Sequence, residues 1–131
     1  MKRLLAVAAS ALLAGCASVP PARALTILSA TGPLPVTAGF DVEGPRQTLL
    51  LSASAWSDIE GVRLEVQTFV DGALVARSRL FSNGPQTHRA LVCPAVPLQL
   101  SPGRHRLELR GGNDETVTDG EDLFEAVLFQ P

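Results

Sequence analysis

The sequence contains few of the residues on which binding sites are commonly built. Its 131 residues include no tyrosine, one tryptophan (Trp56), two cysteines and two histidines, and every basic residue after Lys2 is an arginine. The absence of a lysine cluster and the mildly acidic net charge argue against a nucleic-acid-binding protein, because such a protein needs a basic stripe to displace counterions. The shortage of aromatic rings argues against an extended platform on which sugars stack.

The first fifteen residues have the pattern of a secretory leader. Lys2 and Arg3 precede an apolar run from Leu4 to Ala14, and small residues follow that run. A positive start, a short apolar stretch and small residues before a cleavage point are typical of a signal peptide. The run is shorter than the roughly 20 residues that a membrane-spanning helix needs. The alternative is an amphipathic amino-terminal helix that is never cleaved.

The tetrapeptide Leu13-Ala14-Gly15-Cys16 resembles the lipobox of bacterial lipoproteins. The resemblance implies that residues 1–15 are removed, that the Cys16 sulfur carries a diacylglycerol and that the new amino terminus is acylated. Ala17, in place of the aspartate that retains many lipoproteins at the inner membrane, implies an outer-membrane location. Because each buried methylene contributes about 0.8 kcal/mol, two or three acyl chains would hold the protein permanently. Residues 16–24 are then a lipidated tether, and no cofactor other than this lipid is predicted.

The mature chain is expected to be one acidic domain. Removal of 15 of the 131 residues leaves 116, of which residues 25–131 form the predicted domain. Only Lys2 and Arg3 of the 11 basic residues are lost, so nine arginines face 13 acidic residues and the formal net charge is −4. A lipidated Cys16 leaves Cys93 without a partner, and Cys93 is expected to be a small buried residue. The alternative is a nucleophile for which His88 is the nearest basic group.

Turn signals and alternating residues predict an all-β domain. Val62, Leu64 and Val66 alternate with polar residues, and Asp71-Gly72 then supplies the positive φ values of a two-residue hairpin turn. The segment 48–55 is expected to be a strand buried on both faces. Residues 104–110 alternate strictly, whereas 123–130 are largely apolar on both faces and predict a central strand. Seven or eight such strands favour an antiparallel two-sheet β-sandwich, either jelly-roll-like or immunoglobulin-like.

Several phrases resemble the carboxy-terminal part of tumour-necrosis-factor-like jelly-roll domains of bacterial and phage surface proteins. They are the hairpin VDGALVARS, the loop SNGPQTHRALV, the strand LSPGRHRLELR and the ending TVTDGEDLFEAVLF, within residues 48–129. The resemblance implies a jelly roll that serves as a trimeric binding or assembly module. The aromatic trimer seams of that family are not matched here, so a tethered monomer is the alternative oligomeric state.

The remaining polar candidates for a site are few. Trp56, beside the turn residues Ser57 and Asp58, is the candidate for stacking on a sugar ring, or else it is a partly buried packing residue. His88 is a possible ligand-binding residue, and His105 is expected to be a hydrogen-bonded histidine on the inner face of its strand. The acidic segment 113–122 predicts a solvated loop, with a calcium site as the alternative. The ligands of that alternative site are Asp114, Asp119, Glu121 and Asp122.

No catalytic constellation or metal-ligand spacing is present in the sequence, so no catalytic residue is assigned and the protein is predicted not to be an enzyme. The predicted function is that of a membrane-anchored lipoprotein whose sandwich binds or assembles with another protein of the cell envelope. The alternative is a glycan-binding module, in which calcium assists, using Trp56 and the acidic loop.

Overall fold

The computed structural model describes residues 22–131, which form nine β-strands. In chain order they are β1 (Arg23–Thr31), β2 (Val36–Val42), β3 (Gln47–Ala55), β4 (Arg63–Val70), β5 (Ala73–Phe81), β6 (Arg89–Ala90), β7 (Val96–Leu98), β8 (Gly103–Gly111) and β9 (Leu123–Gln130). None of the described residues belongs to a helix long and apolar enough to cross a bilayer. The leader, Cys16 and most of the predicted tether lie outside the described residues.

The strands form two antiparallel sheets. A five-stranded sheet has the order β1-β9-β3, with β6 and β7 both pairing with β3, and a four-stranded sheet has the order β2-β8-β4-β5. If the short β6 and β7 are counted as one broken strand, this is the strand order of an eight-stranded jelly roll. The predicted antiparallel β-sandwich is therefore confirmed, and the topology is of the jelly-roll type. Membership of the tumour-necrosis-factor-like family stays a prediction.

The core lies between the two sheets and is built by strict alternation along the strands. Leu49 and Phe124 face inward from the five-stranded sheet, and Leu64 and Leu107 face them from the four-stranded sheet, all without solvent exposure. Successive side chains of a strand point to opposite faces, so the residues between these form the outer surfaces. The predicted hairpin is confirmed as β4 and β5, with Asp71 at φ 50° and Gly72 at φ 81°. The strand β9 lies between β1 and β3, which confirms its predicted central position.

Two predictions about strands were wrong. The segment 48–55 is not buried on both faces, because Leu49 lies in the core while its neighbour Leu50 is 41% exposed on the outer surface of the five-stranded sheet. The domain also begins before residue 25, since Arg23 and Ala24 pair with Gln130 and Phe129 in the ladder between β1 and β9. That pairing joins the two ends of the domain, which no local pattern in the sequence indicates.

Candidate functional site

One end of the sandwich brings together polar residues from three distant segments. Trp56 follows β3, His88 precedes β6, and Asp119, Glu121 and Asp122 lie in the loop between β8 and β9. We call these five residues the end cluster. The β8–β9 loop is fixed to the end of β3 by two backbone hydrogen bonds of 2.9 Å between Trp56 and Val117. The cluster is therefore built on paired backbone and not on a free loop.

Asp122 is the buried anchor of the end cluster. Its Oδ1 accepts a hydrogen bond from the Ser54 hydroxyl at 2.8 Å and lies 2.9 Å from His88 Nδ1, and its Oδ2 accepts from the Asp119 backbone N–H at 2.9 Å. These bonds compensate the burial of a carboxylate that has no solvent exposure. The turn above it packs so closely on Gly32 that a Cβ there would come within 2.5 Å of the Asp119 carbonyl oxygen. Asp122 thus holds the loop in place and is not itself open to a ligand.

His88 lies among the carboxylates of the end cluster. The hydrogen bond to Asp122 raises the pKa of His88 above its ordinary value, partial burial opposes this, and the charges of Asp122, Asp119 and Glu121 add to it. The other ring nitrogen, Nε2, lies 3.7 Å from Asp119 Oδ2 and 3.7 Å from Glu121 Oε2. The His88 ring therefore lies among three carboxylates, which favour its protonated form.

Trp56 forms the aromatic wall of the same site. Its indole N–H donates to Asp119 Oδ2 at 3.0 Å, and its ring centroid lies 5.8 Å from that of His88 at an interplanar angle of 49°. The side chain is half-buried. The hydrogen bond fixes one edge of the indole, and the incomplete burial is compatible with either interpretation of Trp56, so both stay predictions.

The arrangement differs from that of a catalytic triad. In a triad the nucleophile contacts the histidine nitrogen that the acid leaves free. Here the Ser54 hydroxyl donates to Asp122, and the free nitrogen of His88 faces Asp119 and Glu121. Among the described residues, the end cluster therefore places no nucleophile at its base.

A calcium ion also fits poorly. Donor atoms of His88, Asp119 and Asp122 lie within 4.8 Å of one another. However, calcium takes six to eight oxygen ligands, while the group offers a ring nitrogen and the Asp122 oxygens already accept hydrogen bonds. Asp114 belongs neither to this group nor to the end cluster, and it lies exposed in the turn that Asn113 and Thr116 close. The four carboxylates that the sequence offers as an alternative calcium site are therefore not brought together.

The other two sequence candidates lie away from the end cluster. His105 is the hydrogen-bonded inner-face histidine that the sequence predicts, with Nδ1 2.6 Å from Asp71 Oδ2 and Nε2 2.7 Å from the Ser101 carbonyl oxygen. Cys93 packs at the edge of the core, half-buried, with its thiol 3.6 Å from the Leu91 carbonyl oxygen. His88, the basic group that the sequence suggested for Cys93, is hydrogen-bonded to Asp122 instead.

No protein-family model and no curated protein matches the sequence. Among solved structures, dimeric latent PorU from Porphyromonas gingivalis matches with a TM-score of 0.51 and 13% identity over 80% of this chain, which spans about 10% of the PorU chain. The CBM36-1 domain of a multidomain xylanase from the hindgut metagenome of Trinervitermes trinervoides matches with a TM-score of 0.44, 11% identity and coverage of 79% of this chain and 76% of that one. A carbohydrate-binding module CBM36 in complex with calcium and xylotriose matches with a TM-score of 0.41, 15% identity and coverage of 82% and 88%. At such identities the similarity to the PorU segment concerns the fold alone, and the two lower scores add nothing to it.

Proposed function

We propose that the domain is a non-catalytic glycan-binding module and that the end cluster is its binding site. The observation that carries the proposal is the position of the chain's single tryptophan, half-buried beside the His88 imidazole and two accessible carboxylates. A sugar needs an apolar surface for its ring face and fixed polar groups for its hydroxyls, and few convergent polar groups set the orientation of a ligand in such sites. The end cluster supplies both from one rigid frame.

The charge of the end cluster favours a neutral sugar. Three carboxylates face one imidazole, so in either protonation state of His88 the cluster is negative, and an acidic sugar would be repelled while hydroxyl groups could donate to Asp119 and Glu121. We propose direct hydrogen bonding without calcium, because the Asp122 oxygens are already occupied. Added calcium or a chelator is therefore expected to leave the affinity unchanged.

The test is glycan binding by the full chain and by Trp56→Ala, first on an array of neutral oligosaccharides and then by titration with the strongest ligand. We expect Trp56→Ala to lose at least about tenfold in affinity, which corresponds to about 1.4 kcal/mol. Phe81→Ala removes an exposed aromatic ring that is not part of the end cluster. It serves as the matched control, and we expect its affinity to be unchanged.

A second variant keeps the proposal testable if Trp56→Ala does not fold. Glu121→Gln changes an exposed carboxylate that contributes no hydrogen bond to the fold through its side chain, and we expect it to weaken glycan binding without a change in melting temperature. An unaffected affinity in both variants, or no binding by the wild-type protein, would contradict the proposal. Loss of stability without loss of affinity would make Trp56 a packing residue.

We further propose that the domain is attached to the outer membrane by lipid on Cys16. The proposal rests on the Leu13-Ala14-Gly15-Cys16 pattern and on the position of Arg23, where the sandwich begins only seven residues after Cys16. Mass spectrometry of the amino terminus from isolated membranes is the test, with Cys16→Ser as the control. A wild-type chain that retains Met1 and carries no acyl group would overturn the attachment.

A second candidate function is protein assembly, favoured by the outer face of the five-stranded sheet. The outward residues of β3 and β9 carry one charge, that of Glu125, and include Leu50 and Leu123, which are 41% and 44% exposed. Depletion of charge is what distinguishes the core of a protein interface from ordinary surface. Crosslinking of membranes that contain wild-type or Leu50→Glu protein tests this function. A partner that is captured equally by both would exclude this face.

A further inference from the structure

The outer face of the four-stranded sheet collects most of the positive charge of the described chain. Cross-strand pairs and alternation place six of the nine arginines after Arg3 on this one surface, which we call the arginine face. They are Arg63, Arg77, Arg79, Arg104, Arg106 and Arg110. Three carboxylates share the face, so it carries a formal charge of +3 while the other described residues carry −7.

Each of the three carboxylates of the arginine face, Asp41, Glu65 and Glu108, forms an ion pair with an arginine of the same face. Glu65 has the guanidinium nitrogens of Arg79, Arg77 and Arg63 at 2.7, 3.5 and 3.8 Å. Burial alone would raise the pKa of Glu65, but hydrogen bonds from Gln67 and Arg79 and the nearby arginine charges lower it below its ordinary value. Three cations therefore share one anion in this group, and the excess positive charge remains free for a ligand.

The face already holds one carboxylate in the geometry that an acidic ligand would use. Arg110 donates from Nε and from its terminal nitrogen to the two oxygens of Glu108 at 2.7 and 3.0 Å. The same guanidinium stacks on the Phe69 ring at 4.4 Å from its centroid. Arginine is the residue that best forms such paired bonds to carboxylates and stacks on flat surfaces. Arg106, by contrast, forms no ion pair with any described carboxylate.

A groove lies along the edge strand β5, and two of the six arginines line it. It has a volume of about 360 Å³ and is lined by Leu74, Val75, Ala76, Arg77, Arg79 and Pro94. A groove beside a strand accommodates an extended polymer, whereas a planar membrane surface would contact only the raised side chains. The amide of Gln67, in register between Arg77 and Arg110, adds a group that can bond to hydroxyls.

We infer that the arginine face binds an acidic polysaccharide, with guanidinium groups pairing with its carboxylates from Arg77 in the β5 groove across to Arg106 and Arg110 on β8. This second site takes a ligand class that the negatively charged end cluster repels. Its existence does not depend on the proposed binding of neutral sugar by Trp56.

The test measures binding of the full chain to polygalacturonate, with neutral dextran as the uncharged reference. The face variant is Arg77→Gln with Arg106→Gln and Arg110→Gln. The matched control is Arg23→Gln with Arg46→Gln and Arg89→Gln, which removes the same three charges from elsewhere. We expect at least a tenfold loss for the face variant, a loss below threefold for the control, and a weaker salt dependence of the residual binding.

Several outcomes would overturn the inference. They are equal losses in both triple variants, no loss in the face variant, or no binding of polygalacturonate by the wild-type protein. Duplex DNA and vesicles containing phosphatidylglycerol are measured alongside, and tighter binding of either through the same arginines would replace the polysaccharide by that ligand. The Trp56→Ala variant should retain polygalacturonate binding, so that failure of the end cluster and failure of the arginine face are distinguished.

Discussion

The contact between His105 and Asp71 allows a stability measurement with a defined pH dependence. Both ring nitrogens of His105 face acceptors, the Asp71 carboxylate at 2.6 Å and the Ser101 carbonyl at 2.7 Å, so both need a proton. The bond to Asp71, followed by the bond to Ser101, raises the pKa of His105 above its ordinary 6.5 although burial opposes this. The bond to His105 in turn lowers the pKa of Asp71 below its ordinary value.

Asp71→Asn is the perturbation that isolates this pair. Asparagine tolerates the positive φ of 50° at this turn position and can keep the acceptor that the Arg106 backbone N–H uses at 2.9 Å. It removes the charge opposite His105. A hydrogen bond to a charged group contributes about 1.5–3 kcal/mol, and because the Asp71 side chain is 48% exposed we reduce the expected loss to about 1–2 kcal/mol.

The sign of the pH dependence follows from the raised pKa of His105. The stabilisation from the charged ring is complete below the ordinary histidine pKa of 6.5 and is lost as the pH rises through the raised value. The contribution of Asp71, whose pKa is lowered, is lost only as the pH falls through that lowered value. The cost of Asp71→Asn is therefore expected to be larger at pH 6 than at pH 9.

Urea unfolding of both proteins at pH 6 and pH 9 measures this difference. Glu43→Gln, which removes an exposed charge paired with Arg23, is the control and should cost little at either pH. Proton NMR can follow His105 directly because the chain has two histidines. A His105 that titrates at the ordinary value, or an equal cost of Asp71→Asn at both pH values, would refute the reasoning.

Two further predictions concern packing. Gly112→Ala would place a Cβ 2.5 Å from Glu65 Cγ, and urea unfolding should show a loss of about 1–3 kcal/mol, whereas Gly44→Ala, which meets nothing within 4 Å, should cost little. Phe124→Ala empties a fully buried position and should cost about 3–5 kcal/mol, with Phe81→Ala, 64% exposed, changing stability by less than about 0.5 kcal/mol. A Phe124→Ala protein as stable as Phe81→Ala would contradict the assigned core.

Much of the fold followed from local patterns. Alternation in residues 62–66 and 104–110 identified β4 and β8, and the Asp71-Gly72 pair identified the hairpin of β4 and β5. Both signals are local, because strand periodicity and turn geometry are properties of adjacent residues. The burial of β3 on one face only was not predictable in the same way. Its three consecutive leucines indicate burial, but only the sheet order shows that nothing among residues 22–131 covers its outer face.

The candidate site could be predicted only in part. Trp56, His88, Asp119 and Glu121 were recognisable as polar or aromatic residues without an evident core role, but Asp114 belonged to the same acidic segment and lies apart from them. Ser54 and its bond to Asp122, 68 positions later, have no sequence signal at all. The separation along the chain is too large for any spacing rule to apply.

The sequence by itself determined the leader pattern, the all-β class, the hairpin and the overall acidity, since each depends on composition or on neighbouring residues. Only the tertiary structure decided that six arginines share one face while the net charge of the whole chain is negative. It also decided that three segments meet at Asp122. Both results depend on the order of strands in the jelly roll, which places residues far apart in sequence side by side. Composition and local spacing along the chain do not reveal that order.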